Sequence, residues 1–173
     1  TLAIVPSGAS TGTHEAYELR DKENKDYLGK SVFKAIENVN GPIFKSLKNI
    51  DTEDQSKIDK ILKDLDGTEQ KKKLGANAIW AVSIAAIKNA ALERKVSLFK
   101  HIGGNSVNKL PIPMMNIING GAHANNSLDI QEFMIRPDGA NSFKECMRMS
   151  YLVVQKLKKN LEKINISTSV GDE

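Results

Sequence analysis

Apolar and polar positions along the chain predict helices in its first half. Four apolar residues recur at spacings of three and four, as on one face of a helix: Val32, Phe33, Ile36 and Val39. We expect this first helix to end at Gly41 and Pro42. A second helix is predicted from near Asp51 to Gly67, its first turn supported by Asp54.

The third predicted helix runs from Ala76 to about Leu92 and differs from the others in composition. It is rich in alanine and has few charges on any face. Small side chains let neighbouring helices approach closely, so we expect this helix to be the central packed one. Trp80, which lies within it, is expected in the core.

Patterns typical of β-strands occur before and after the part of the sequence that predicts helices. Residues 2–5 predict the end of a strand, and residues 15–20, which alternate apolar with charged side chains, predict a half-buried strand. Farther along, two apolar runs at 112–118 and 128–135 enclose a polar segment without large side chains. This pattern predicts two strands joined by a mobile loop.

A long amphipathic helix is predicted after Pro137, closing near Ile164. Its apolar stripe has near-heptad spacing over six positions: Phe143, Met147, Ser150, Val154, Leu157 and Leu161. A helix covering a sheet is favoured over a zipper that binds a partner. Gly, Asn and Ser cluster at 103–109 before two prolines, which indicates a boundary. We therefore predict domains at 1–104 and 105–173.

Composition narrows the classes of protein to consider. The chain has 173 residues, 40% of them hydrophobic, enough for one to one and a half domains. The net charge of +4 is spread over short lysine runs without interleaved aromatic residues, which argues against a nucleic-acid partner. One cysteine, Cys146, excludes an internal disulfide framework and suits a reducing compartment. No apolar run is long enough to span a membrane.

The polar segment at 120–127 and the run after it contain the most specific candidate chemistry. His123 is the titratable group of the segment, and Gln131 and Glu132 follow within a run of strand formers. An unpaired charge at such a place is costly, so Glu132 implies a partner, a ligand or a wet cavity. The alternative is an ordinary hairpin turn with a solvated histidine.

A second candidate is the loop PSGASTG at residues 6–12. Small hydroxyl residues on a backbone loosened by glycine can approach a phosphate or a metal closely, so this loop can wrap an anion. The alternative is an ordinary surface loop. The roles of His14 and Glu15, which follow it, stay open.

These stretches resemble one known family. MMNIINGGAHANNSLDIQEFM at residues 114–134 resembles the signature of the enolases, and VPSGASTG at 5–12 and SVGDE at 169–173 match the same family in the same order. The phrases ELRD, LDGT and LGANAIWAVS agree, so the likeness covers essentially the whole chain. It implies an α+β N-terminal domain followed by the opening strands and helix of an enolase-type (β/α)8 barrel. The barrel is incomplete here, because a whole one needs about 250 residues.

The resemblance also implies an activity, the dehydration of 2-phosphoglycerate to phosphoenolpyruvate with magnesium (Mg2+). Ser10 matches the family serine that closes over the substrate and ligates the second magnesium. His123 matches the histidine of the second mobile loop, which contacts the substrate and belongs to the acid half of the reaction. Gln131 matches a glutamine that contacts the substrate. Glu132 matches an acid near the departing hydroxyl, and Glu173 matches the proton donor.

The family's lysine base, first-magnesium carboxylates and phosphate contacts fall beyond Glu173, and its first strands fall before Thr1. We therefore expect a fragment that is inactive alone, from a cytoplasmic homodimer, with a secondary cell-surface or secreted presence left open. One alternative is a binding or surface-adhesion module. Another metal-assisted acid/base enzyme of the same superfamily is disfavoured, because the GAST and HAxN loops occur together.

Overall fold

The computed structural model describes residues 1–8 and 11–169, and its internal contacts divide the chain into two units, Thr1–Val107 and Asn108–Glu173. The described residues of the first unit form five α-helices: α1 (Phe33–Asn38), α2 (Phe44–Leu47), α3 (Gln55–Asp66), α4 (Ala76–Glu93) and α5 (Leu98–Gly103). The described part of the second unit, residues 108–169, forms two strands and one α-helix: β1 (Met115–Asn119), β2 (Glu132–Ile135) and α6 (Phe143–Glu162). No helix within the described residues combines the length and apolar character needed to cross a membrane.

The core of the first unit forms where α4 packs against α1 and α3. Its buried apolar side chains come from these helices and the segments between them: Ala35, Ile43, Ile58, Leu62, Leu74 and Ala78. The helix α4 also contacts α5. The prediction that the alanine-rich helix is the central packed one is confirmed.

Trp80 was wrongly predicted to be in the core, because 53% of it is exposed. The residues of α4 that are buried are alanines, namely Ala78, Ala90 and Ala91. Close approach of neighbouring helices leaves room for methyl groups on the packed face but not for an indole. The indole therefore lies on a more open side of the helix.

The helix α3 ends where its sequence signals predict and begins later than expected. Gly67 follows it with a left-handed φ of 67°, and Asp54 is its N-cap, accepting a hydrogen bond from the Lys57 backbone N–H. The predicted start near Asp51 was wrong. Asp51 instead forms a turn before the helix, accepting a bond from the Glu53 N–H at 2.9 Å.

The predicted helix end at Gly41 and Pro42 was also wrong. The chain continues from α1 through a π-helical turn, Val39–Ile43, directly into α2. Proline has no N–H and its ring crowds the preceding turn, and a locally widened turn accommodates both. Ile43 is 1% exposed, so burial of this side chain stabilises the continuation.

No strand forms among the described residues of the first unit, so the predictions at 2–5 and 15–20 were wrong. Residues 15–20 instead attach to the start of α4. The Tyr17 N–H donates to the Gln70 carbonyl at 2.7 Å, and the Tyr17 carbonyl accepts from the Ala76 N–H at 2.8 Å. The amide of Asn77 bonds to both backbone groups of Leu19 at 3.1 Å. Alternating polarity occurs in any extended, half-buried segment, and here the start of α4 and the segment before it supply the hydrogen-bond partners.

Asp66 is a buried carboxylate that organises the segment between α3 and α4. It is 2% exposed. Its Oδ1 accepts bonds from the backbone N–H and the hydroxyl of Thr68, and its Oδ2 accepts from the Leu74 N–H at 2.7 Å. The Leu74 carbonyl in turn accepts from the Asn38 side chain at 2.9 Å. Side chains from two helices thus hold this loop.

The two predicted strands of the second unit are confirmed as an antiparallel pair. Met115 lies opposite Ile135, and Asn119 lies opposite Glu132. A bulge between Asn116 and Ile118 shifts the register by one residue.

The predicted helix after Pro137 is present, with Ser142 as its N-cap. Its predicted stripe is only partly right. Ser150 is buried, but Phe143 and Met147 are 43% and 45% exposed, and Cys146 is buried in their place. The period of 3.6 residues per turn rotates a strict heptad away from the packed face.

Candidate active site

A close-packed hairpin positions the candidate histidine. After β1, the Gly120 N–H donates to the Gln131 carbonyl at 3.0 Å, and the Gly121 N–H donates to the Leu128 carbonyl at 2.7 Å. A single 3-10 turn, Gly121–His123, then carries the chain inward. His123 is 4% exposed as a result. The interpretation of this residue as a solvated histidine in an ordinary turn is wrong.

The turn requires a glycine at position 120 and favours one at position 121. A Cβ on Gly120 would lie 2.4 Å from the Ile130 carbonyl oxygen and 2.7 Å from the Leu128 Cβ, distances that real Cβ atoms do not show. Gly121 has a φ of 53°, in the left-handed region that favours glycine. The glycine pair therefore lets the two sides of the hairpin close around His123.

The imidazole of His123 contacts the two polar residues that were singled out in the sequence. Its Nε2 lies 2.7 Å from the side-chain nitrogen of Gln131. Its Nδ1 lies 3.1 Å from Oε1 of Glu132, whose side chain is 31% exposed. The charge expected to need a partner thus has one. The hairpin brings a histidine, an amide and a partly accessible carboxylate together.

Ser10 and Glu173, the other two predicted site residues, lie outside the described residues. The described residues on either side of Ser10 in the sequence form hydrogen bonds with the segment that follows. The Ser7 hydroxyl donates to Glu18 at 2.7 Å, and the Gly12 N–H donates to the Glu15 carboxylate at 2.9 Å. The open question about Glu15 therefore has a structural answer, because its carboxylate closes a local turn.

Three carboxyl groups away from the candidate site have a pKa below the usual value because of the hydrogen bonds they accept. A hydroxyl or guanidinium donates to each and favours its ionised form. Hydrogen bonds of this kind hold the pKa below its usual value in three pairs: Asp21 with Ser31, Glu53 with Arg94, and Glu145 with Arg148. Asp21 also accepts from the backbone N–H groups of Phe33 and Lys34, so it caps α1 from a distance that local sequence signals do not reveal.

The described residues offer no ready-made magnesium site. Magnesium prefers several oxygen ligands in octahedral geometry. Within residues 1–8 and 11–169, no group of three or more His, Cys, Asp or Glu side chains is placed to hold a metal ion. We therefore assign no metal ligand among them.

Comparison with known proteins agrees with the motifs. Residues 1–102 match the family model for the enolase N-terminal domain, and residues 107–173 match that for the enolase C-terminal TIM barrel domain. The chain is 58% identical over 171 residues to an enolase of Pelagibacter ubique (strain HTCC1062), covering 99% of this chain and 41% of that relative. It thus spans about two fifths of that relative's length. The predicted resemblance and fold class are confirmed, and the chain belongs to the enolase family.

Proposed function

We propose that the full-length protein is a lyase that dehydrates 2-phosphoglycerate to phosphoenolpyruvate. The observation that carries this proposal is the grouping of His123, Gln131 and Glu132 in one hairpin of a chain 58% identical to an enolase. An ordinary hairpin has no need to bury a histidine between an amide and a carboxylate.

The reaction removes a proton from carbon two and hydroxide from carbon three. Departure of hydroxide needs a proton or a hydrogen-bond donor at that oxygen. We assign Glu132 to the region of the departing hydroxyl. Its side chain is 31% exposed, so it has an accessible face while Oε1 is next to His123. Gln131 is assigned as a substrate contact, and Glu173, by resemblance, as the proton donor.

Magnesium is part of this proposal only because the chain belongs to the enolase family. It would supply electrostatic stabilisation of the negative charge that builds up when carbon two loses its proton. Ser10 is its proposed ligand in this chain. The proposal also includes a homodimer in the cytoplasm and the domain division at residues 104 and 105.

We propose that the 173-residue chain does not catalyse the reaction alone. The supporting fact is that it spans 41% of the length of its curated relative. The family's lysine base and main metal ligands are expected in the remainder.

The decisive experiment uses the purified full-length protein with 2-phosphoglycerate and follows phosphoenolpyruvate by its absorbance. We expect conversion that stops when magnesium is chelated and returns when it is restored. A panel of other phosphorylated and unphosphorylated hydroxy acids serves as the control for substrate class. Preference for another acid of the panel would place the protein among related acid/base enzymes. No conversion of any acid, with the fold intact, would leave the binding module as the function.

A further inference from the structure

The contact between Gln131 and His123 determines where the imidazole keeps its proton. The side-chain amide nitrogen of Gln131 lies 2.7 Å from Nε2 of the ring. A primary amide nitrogen can only donate a hydrogen bond, so Nε2 must accept with a lone pair. A neutral imidazole has one N–H group, and here that group must be at Nδ1.

The opposite edge of the ring requires the same tautomer. Nδ1 lies 3.1 Å from Oε1 of Glu132. An ionised carboxylate oxygen has only lone pairs to offer. A bare Nδ1 would therefore face another lone pair, whereas an Nδ1–H group is attracted to the carboxylate. Two separate contacts thus favour the proton on Nδ1.

The backbone of the hairpin fixes the distance between the amide and the ring. The Gly120 N–H donates to the Gln131 carbonyl at 3.0 Å, and the Gly120 carbonyl accepts from the His123 N–H at 3.0 Å. The backbone of Gly120 is therefore hydrogen-bonded to both Gln131 and His123. Because His123 is 4% exposed, water cannot readily replace the amide at Nε2.

We propose that Gln131 is a positioning residue that holds His123 in its Nδ1–H tautomer, so that the ring directs its proton toward Glu132. In this tautomer Nε2 does not donate a proton to the substrate. The catalytic meaning of the inference rests on the proposed function, but the position of the proton does not.

The test is nitrogen-15 NMR of the imidazole rings in the full-length protein. Long-range proton–nitrogen correlations distinguish a protonated from a bare ring nitrogen, and the signal lost in His123→Gln identifies the ring. Spectra are recorded above about pH 8, well above the ordinary imidazole pKa of about 6.5, so that neutral rings are observed. We expect a protonated Nδ1 and a bare Nε2. A wild-type ring protonated at Nε2 would overturn the proposal.

Variants test the role of the amide itself. Gln131→Glu replaces the donor with an acceptor and should move the proton to Nε2, and Gln131→Met should mix the tautomers. Gln155→Met makes the same chemical change on α6 and should leave the ring unchanged. An unaltered His123 spectrum in Gln131→Glu would refute the assignment. Failure to dehydrate 2-phosphoglycerate would overturn the proposed function while an observed Nδ1–H ring still supported the inference.

Discussion

The buried carboxylate of Asp66 accepts a 2.7 Å hydrogen bond from the backbone N–H of Leu74, eight residues farther along the chain. This bond joins the end of α3 to the segment that leads into α4. Burial by itself would raise the Asp66 pKa, and it is the largest influence on the group. Hydrogen bonds from Thr68 and Leu74, aided by the charge of Lys71, outweigh it and hold the pKa below its usual value of 3.8.

We expect Asp66→Asn to lower the free energy of unfolding by about 1–3 kcal/mol, because an amide NH₂ would face a buried N–H donor. The measurement is the urea midpoint of the full-length protein. Asp64→Asn is the matched control, since Asp64 is exposed in α3 and pairs with Lys60 at the surface. Such a pair contributes about 0–1 kcal/mol. Equal losses in the two variants would contradict the role of Asp66.

The same carboxylate predicts how stability depends on acidity. A group whose pKa is lower in the folded than in the unfolded state stabilises the fold above its unfolded pKa, and that contribution is lost as the pH falls through the folded pKa. The free energy of unfolding should therefore decrease below about pH 4. Urea midpoints measured across this range should decrease less steeply in Asp66→Asn. A parallel decrease in both proteins would remove Asp66 from the acid response.

Gly120→Ala should damage the hairpin that places His123. The added Cβ would meet the Ile130 carbonyl oxygen at 2.4 Å, so the backbone has to shift. We expect about 1–3 kcal/mol of destabilisation, together with a loss of turnover in the full-length protein. Gly139→Ala is the control, because no atom lies within 4 Å of its built Cβ. Wild-type turnover in Gly120→Ala would show that the hairpin tolerates the change.

Glu132→Gln should reduce kcat of the full-length protein by on the order of 10²–10⁴-fold, the usual contribution of a positioned acid or base. The thermal midpoint should stay close to that of the wild type, since the side chain is 31% exposed. Glu162→Gln, at the end of α6, makes the same change on an exposed residue and should keep full activity. An unchanged kcat in Glu132→Gln would withdraw its assigned role.

Ser10→Ala should raise the magnesium concentration needed for half-maximal turnover, because the substitution removes a proposed ligand oxygen. Ser7→Ala is the control in the same loop. Its hydroxyl donates to Glu18, so its loss should affect stability and not the magnesium titration. Superimposable titrations for wild type and Ser10→Ala would exclude Ser10 as a ligand.

Glu173→Gln should separate the two halves of the reaction. Exchange of the carbon-two proton with deuterium needs a different residue and should survive. Product formation should fall by on the order of 10²–10⁴-fold, equivalent to about 3–5 kcal/mol on the barrier. If exchange and product formation fall in equal proportion, Glu173 shapes the backbone and donates no proton.

Local signals account for the elements that were predicted well. Asp54 and Gly67 bound α3 through their own side chain and backbone, and two apolar runs form β1 and β2. The wrong predictions concern segments whose conformation depends on hydrogen-bond partners far away in the sequence. The alternation at 15–20 does not reveal that Gln70, Ala76 and Asn77 supply its hydrogen bonds.

In the candidate site, too, some features could be predicted from the sequence and others could not. The sequence pattern marked Gln131 and Glu132, because polar groups are conspicuous within an apolar run, and it marked His123 as the titratable group of the polar segment before them. It could not show which nitrogen of the ring faces which neighbour, since that depends on the path of the backbone through Gly120. The hydrogen-bond networks of Asp21 and Asp66 were not predicted, because a single aspartate in a polar stretch of sequence has no distinguishing pattern.

The bulge between Asn116 and Ile118 determines the chemistry beside Glu132. Residues paired across antiparallel strands point to the same face, so one inserted residue changes which neighbour a side chain has. With the bulge, Glu132 is paired with Asn119; without it, the count would place Ile118 there. The Asn116 side chain accepts from the Phe133 N–H at 3.3 Å within this irregularity. If the same residues paired regularly, without the bulge, a hydrocarbon would replace the amide next to the carboxylate, although every candidate site residue would still be in the sequence.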